Sequence, residues 1–266
     1  MSSPTISIIT IVFNQAQELE RTIQNVLHQS YEQLEYIIID GGSTDGTLEV
    51  INQYRNKISQ VISGIDINTS DAMNKGIKAS NGDIVGMIFA GDSYTGKILH
   101  TVSSLYSQHP DVIFHGNIQY WKINGELDYI YTARDDSEKA ININHLTAFV
   151  PQAVYKAVGM YDLDFAHAND YEFYLRAKVK GIKFLHLNEI VAHMILGGNS
   201  DKNWIANYRE ITRARILHGQ GYIQCYLRLY FMLLRTLTRK TLEKIGADRI
   251  IKFYRHYLSP VRKYSP

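Results

Sequence analysis

Residues 6–12 form a continuous apolar and β-branched run broken only by Ser7 and Thr10. Such a run is too short for a free-standing helix and reads as a buried strand of a parallel sheet, apolar on both faces. Leu19, Ile23, Val26 and Leu27 follow at helical spacing, with Asn14 as the expected N-cap. Residues 36–39 predict a second buried strand ending at Asp40. Leu48, Val50, Ile51 and Tyr54 predict a second helix, and Val61 and Ile62 a short third strand closed by Asp66. Residues 71–79 predict a third helix, stopped by Asn81-Gly82. The apolar run 84–89 is a fourth strand, halted at Ala90-Gly91-Asp92. The order βαβαβαβ implies an α/β fold with a right-handed, mostly parallel sheet.

The pattern then changes. Leu99, Val102, Leu105 and Tyr106 predict a helix that ends before Pro110. Residues 113–121 and 127–131 alternate like antiparallel strands, with Asn124-Gly125 as the hairpin turn. A helix is expected over 152–158, stopped by Gly159, and strands over 184–187 and 190–196. From Asn203 onward the chain reads as helical. Leu227, Tyr230, Phe231, Leu234 and Leu237 share one side there, with Arg228, Arg235 and Arg239 elsewhere.

At 266 residues the chain suits one α/β domain with an appendage. Apolar residues make up 45%, enough for a sizeable core. Cys225 is the only cysteine, which excludes a disulfide framework and a thiolate metal cluster. The first residues carry no basic-then-apolar signal, and no stretch of 18 apolar residues occurs, so a cytoplasmic protein is expected. The net charge of +2 hides a division. From Lys202 on, 14 Lys/Arg face 3 Asp/Glu, giving +11, and the preceding part carries −9. A basic tail of this kind suits an anionic partner surface.

Asp40, Asp66 and Asp92 fall at or just after the carboxyl ends of successive strands, 26 residues apart each time. In open α/β sheets ligands bind at that edge. Three carboxylates there suit a cation or a hydrogen-bonding ligand. The competing reading is three turn aspartates. No Gly-x-Gly-x-x-Gly follows the first strand and no Gly-x-x-x-x-Gly-Lys-Ser/Thr occurs, so a dinucleotide fold and a P-loop enzyme are both excluded.

Four segments together resemble the family 2 glycosyltransferases: residues 6–14, residues 36–47 with their Asp-Gly-Gly-Ser-Thr-Asp-Gly-Thr, residues 71–77 with Asp-Ala-Met-Asn-Lys-Gly, and Ala90-Gly91-Asp92. They cover the first hundred residues in the family's order. The resemblance implies a GT-A fold: a Rossmann-like, mostly parallel central sheet with a small antiparallel section, here followed by a C-terminal helical tail. It implies an inverting, non-processive transferase that takes a nucleotide sugar, a UDP-sugar by expectation. Thr10, Phe13, Asn14, Asp40, Asp66, Asn74, Lys75, Gly91 and His145 would bind the donor. Asp92 would hold Mg²⁺ or Mn²⁺ as the remaining acid of the family's Asp-x-Asp motif, since Ala90 replaces the first acid. Gly41 stands where the family often has a second Asp.

Residues 168–176 resemble the family's Asp-Tyr-Asp-x-x-Leu-Arg segment, which makes Asp170 the expected catalytic base. Its predicted helix N-terminus would stabilise the anion. An N-cap suits the same position. Glu172, two residues on, is the expected support. Gly197-Gly198-Asn199-Ser200 resembles a loop that closes over the donor. Trp121, Tyr120 and Tyr129 either stack on an acceptor sugar or pack within the sheet. His193 is either a distant metal ligand or packed.

The expected domains are 1–200, divided into a nucleotide-sugar half (1–110) and an acceptor half (111–200), and a basic amphipathic region, 201–266. The expected function is sugar transfer to a glycan or lipid-linked acceptor in cell-surface polysaccharide or glycolipid synthesis. An inert nucleotide-sugar-binding module and a sugar nucleotidyltransferase are the alternatives. For the tail, an anionic membrane surface reached peripherally from the cytoplasm competes with packing on the body and with a homodimer. Nucleic acid is not expected, because no binding motif accompanies the charge.

Overall fold

The structure is a computed structural model that describes residues 3–122, 125–133, 143–195, 203–247, 250 and 262–263. At its centre β1 (Ile6–Val12) is buried along its whole length. It pairs in parallel with β2 (Leu34–Asp40) on one side and β4 (Ile84–Phe89) on the other, and β3 (Gln60–Ser63) extends the parallel set beyond β2. Because the chain passes from β3 back across β1 to β4, the order reverses between β1 and β4. Such a switch point opens a crevice outside the carboxyl ends of the strands.

Helix α1 (Ala16–His28) covers one face of this half, burying Leu19, Ile23 and Val26. Each such side chain contributes about 1.5–3 kcal/mol. Its N-cap is Gln15, not the expected Asn14. Asn14 takes a left-handed conformation at φ 50°, which Asn tolerates, and its Oδ1 accepts from Thr44 N at 2.8 Å. The first N–H groups of α1 are satisfied from the loop beyond β2: Gln15 N donates to Thr47 Oγ1 and Ala16 N to Asp45 Oδ2. A short α2 (Thr47–Gln53) leads to β3, and α3 (Thr69–Ala79) starts two residues before the expected position, capped by the Asn68 side chain on Asp71 N.

β5 (Ser93–Tyr94), α4 (Ile98–Tyr106), β6 (Val112–Trp121) and β7 (Leu127–Tyr131) follow. β6 and β7 are antiparallel as expected, and Lys122 O accepts from Gly125 N across the turn. Asn124 lies outside the described residues. β8 (Phe149–Pro151), α5 (Gln152–Val158), α6 (Asn169–Val179) and β9 (Lys183–Ile195) complete the body. The two strands expected near 184–187 and 190–196 are one long strand, β9. It runs parallel to β6 and is irregular around Gly116 to Ile118, where its register shifts. A break at Asn188-Glu189 in the apolar pattern is the cost of that shift, not a turn. β8 joins the halves, pairing antiparallel with both β4 and β6, and β10 (Arg262–Lys263) pairs with β7.

The tail forms α7 (Trp204–Leu217) and α8 (Tyr222–Lys244). Helix α7 packs on α6, and α8 packs on α7. Among the described residues no helix is long and apolar enough to cross a membrane.

Candidate active site

Two groups of residues meet at the carboxyl edge of the sheet. The first surrounds the loop after β2. Asp40 is fully buried and its carboxylate is spent on that loop: it accepts from Gly42 N, Ser43 N and Ser63 Oγ. Phe13 projects from the end of β1 and is 58% exposed. Asp66, beyond β3, lies opposite Gly41. A Cβ added at Gly41 would meet Asp66 Oδ2 at 3.2 Å and the Phe13 ring at 3.3 Å. The glycine thus keeps a narrow slot between a carboxylate oxygen and an aromatic ring. Asp66 Oδ1 is held by Lys75 Nζ at 2.6 Å, and the same ammonium reaches Asp71 Oδ2 at 3.2 Å and Ile65 O at 3.1 Å. The hydrogen bond to Asp66 holds the Lys75 ammonium above its usual pKa range.

Three of the residues expected to contact the donor have internal partners for their polar atoms. Thr10 is sealed within β1, its hydroxyl 2.9 Å from Tyr36 Oη. Asp40 serves the loop from below. Asn74 is buried on α3 and clamps the backbone of Tyr161 through both side-chain atoms, at 2.8 and 2.9 Å.

The second group centres on the turn after β4. Gly91 adopts φ 96°, which favours glycine, and Asp92 follows. Helix α1 fixes this turn. Thr22 Oγ1 accepts from Gly91 N at 3.0 Å and donates to Asp92 O at 2.9 Å, while Asn25 bonds both N and O of Tyr94. Neither residue was read from the sequence as part of the site. The available signal was a polar side chain, Thr22, inside the apolar stripe Leu19–Ile23–Val26.

Asp92 is 8% exposed. Burial pushes its carboxyl up to about 7, against the opposing pull of the His145 ring and the Ile195 N–H. His145 packs edge-on against Phe89, ring centroids 4.9 Å apart. Its Nδ1 stands 3.4 Å from Asp170 Oδ2, and its Nε2 is buried without a hydrogen-bond partner. Asp170 occupies the first turn of α6, where the helix dipole favours its anion. The N-cap is Ala168, so Asp170 is not the cap. That cap lacks a side-chain acceptor of its own; Glu210 of α7 accepts from both His167 N and Ala168 N at 2.8 Å.

Glu172 points away from Asp170. It is buried in a bidentate pair with Arg176, and His218 Nε2 of the segment after α7 approaches to 2.9 Å. It supports, as expected. Tyr120 and Tyr129 stack on each other across the hairpin at 4.7 Å, and His193 packs against Trp121 at 5.7 Å. Burial pushes the His193 imidazolium down, toward the neutral form. The expected donor-closing loop at Gly197 to Ser200 lies outside the described residues.

The edge therefore joins an aromatic and carboxylate slot at Phe13, Gly41 and Asp66 to a buried acid, an imidazole and a second acid at Asp92, His145 and Asp170. The residues fit a divalent cation in part. Asp92 is a buried carboxyl in want of a compensating charge, and an orphaned imidazole nitrogen belongs to the same group. Among the described residues no group of three or more His, Cys, Asp or Glu side chains forms a ligand set. A cation here would be shared with the ligand's own oxygens.

The chain is similar to several known proteins. An uncharacterized glycosyltransferase of Mycobacterium tuberculosis is 30% identical over 184 residues, covering 66% of this chain and 70% of its own. The crystal structure of S. aureus TarS 1-349 in complex with UDP-GlcNAc aligns with a TM-score of 0.65 at 16% identity, over 83% of this chain and 69% of that one. The mannosyltransferase PcManGT from Pyrobaculum calidifontis, in complex with GDP-Man and Mn2+, aligns at 0.63 and 14% identity, over 86% and 70%. These structures share the GT-A fold with this chain. The family model "Glycosyl transferase family 2" matches residues 7–158, more than half of the chain, and the chain belongs to that family.

Proposed function

We propose that the chain moves a sugar from a nucleotide-sugar donor, a UDP-sugar, to an acceptor hydroxyl with inversion. The observation that carries this reading is the approach of Asp170 to His145 at 3.4 Å beside the buried Asp92. It supports a site in which two acids with different surroundings share one imidazole as neighbour. The base of the nucleotide would enter the slot at Phe13 and Gly41, where the free Oδ2 of Asp66 faces an imide N–H. The diphosphate would lie toward Asp92. A Mg²⁺ or Mn²⁺ at Asp92, when bound, neutralises charge on the leaving diphosphate.

Asp170 takes the proton of the acceptor hydroxyl as the oxygen attacks the anomeric carbon. The bond from that carbon to the diphosphate oxygen breaks on the opposite face, and the nucleoside diphosphate leaves. His145 holds Asp170 in place from the donor side. The acceptor is a glycan or a lipid-linked sugar of a surface polysaccharide or glycolipid.

The test is release of nucleoside diphosphate from a panel of nucleotide sugars with Mn²⁺, with and without acceptor extract. Asp170→Asn should lower the rate about 10²–10⁴-fold with donor binding unchanged. Near-normal turnover removes Asp170 from the mechanism. Donor binding with no release from any sugar favours the inert module, and pyrophosphate release favours the nucleotidyltransferase.

A further inference from the structure

Helix α8 has two unlike sides. Cys225 and Thr236 are buried on one, where Thr236 Oγ1 lies 2.9 Å from Tyr208 Oη of α7. On the other, Ile223, Leu227, Tyr230, Phe231, Leu234 and Leu237 are 51–74% exposed. Their spacing places them on one stripe about 21 Å long. Single exposed apolar residues need no explanation, but a continuous stripe marks a binding surface. Arg228 and Arg235, seven residues apart and both exposed, border the same edge of that stripe. Burial, and then the charge of Arg215, pushes the Arg228 guanidinium down from its usual range. No Asp or Glu occurs between residues 222 and 242.

We propose that this face of α8 docks on an anionic lipid surface, the apolar stripe entering the acyl boundary and Arg228 and Arg235 lying among the phosphates. The charge decides between lipid and a second copy of the chain. A two-fold pairing of the stripes brings Arg228 and Arg235 of both copies to one seam, with no acidic residue between 222 and 242 to answer them. An anionic leaflet answers all of them at once. The docking deepens the glycosyl-transfer reading and rests on it for its purpose. Helix α8 packs on α7, and α7 holds the start of α6, which carries Asp170. A lipid-borne acceptor would thus be collected by the element two helices from the base.

The experiment is flotation of the full chain with phosphatidylcholine vesicles containing about 30 mol% phosphatidylglycerol, at about 0.1 M salt. The wild type is expected to float with these vesicles and weakly with pure phosphatidylcholine. The double variant Leu227→Glu/Phe231→Glu alters only exposed side chains and should lose flotation at least about tenfold with an unchanged circular dichroism spectrum. Arg235→Glu should lose more than the roughly fivefold expected for removing one cation. Failure of the wild type to float, or unchanged flotation of the double variant, overturns the proposal. So does a dimer in light scattering that Leu227→Glu/Phe231→Glu dissociates while the wild type ignores vesicles. Flotation needs no donor, so an inactive chain that floats sinks the transferase reading alone.

Discussion

Gly41 shows how much one residue decides. A Cβ added there would meet Asp66 Oδ2 at 3.2 Å and the Phe13 ring at 3.3 Å, closer than ordinary van der Waals contact, so any side chain enters the slot proposed for the base. Gly41→Asp would set a second carboxylate against Asp66. Binding of UDP by calorimetry should weaken at least about tenfold, through like-charge repulsion and lost volume. Unchanged binding would place the base elsewhere. Glu35 offers a separate test by pH. Burial raises its carboxyl, but donors from Ser7 Oγ, Asn81 and Gly82 N outweigh burial and leave it below the usual carboxylate range. A depressed folded pKa stabilises above the unfolded value of 4.5 and is lost as pH falls through the folded one. Glu35→Gln should therefore lower unfolding free energy at pH 7 by about 1 kcal/mol, allowing for partial exposure. The gap from wild type should close in urea titrations below pH 4.5. A gap independent of pH would show that the charge is irrelevant.

At the scale of elements, the strands and the acids that end them were legible because a buried parallel strand writes itself as an apolar run. Asp92 was read at the end of such a run, and Asp170 from its resemblance to the family's Asp-Tyr-Asp-x-x-Leu-Arg segment. Spacing gives the edge of the sheet but not which polar atoms already have partners, and Thr10, Asp40 and Asn74 each have one within the chain. Residues 184–195 were divided because a bulge and a turn look alike in a pattern of apolar and polar positions. Glu210 was invisible for another reason. Capping rules look three or four residues along the chain, and this cap is supplied from 42 residues beyond Ala168. Glu210→Ala should lower stability by about 1–2 kcal/mol and lower kcat more than the donor KM, since the loosened turn carries Asp170. Glu210→Gln keeps an acceptor and should recover most of both. Equal losses in the two variants would mean that the backbone of His167 and Ala168 does not need this acceptor.

At the scale of the molecule, the acidic body and basic tail are one working unit despite the change in composition at about residue 200. The tail gives α6 its cap, gives Glu172 a contact with His218, and lays Arg213 over the Phe165 ring at 4.9 Å. A chain ending at Ser200 should lose roughly 3 kcal/mol from these contacts. Its thermal midpoint should fall by about 6–12 °C. A midpoint equal to that of the full chain would make the tail a detachable appendage.

The cap supplied from α7 also sets an order in time. Synthesis proceeds from the N-terminus, so Phe13, Asp66 and Asp92 leave the ribosome before Glu210 and His218. Between Glu172 and His218 the ribosome adds 46 residues, a delay of about 2–9 s at ~5–20 residues per second. During it the nascent chain has the slot at Phe13 and Gly41, while the start of α6 still lacks the Glu210 acceptor. Only when α7 docks does the start of α6 gain this acceptor, and α8 follows directly behind it. With the proposed roles, a half-made chain would hold a nucleotide sugar without spending it, and turnover would begin as the helix proposed to dock on lipid emerges.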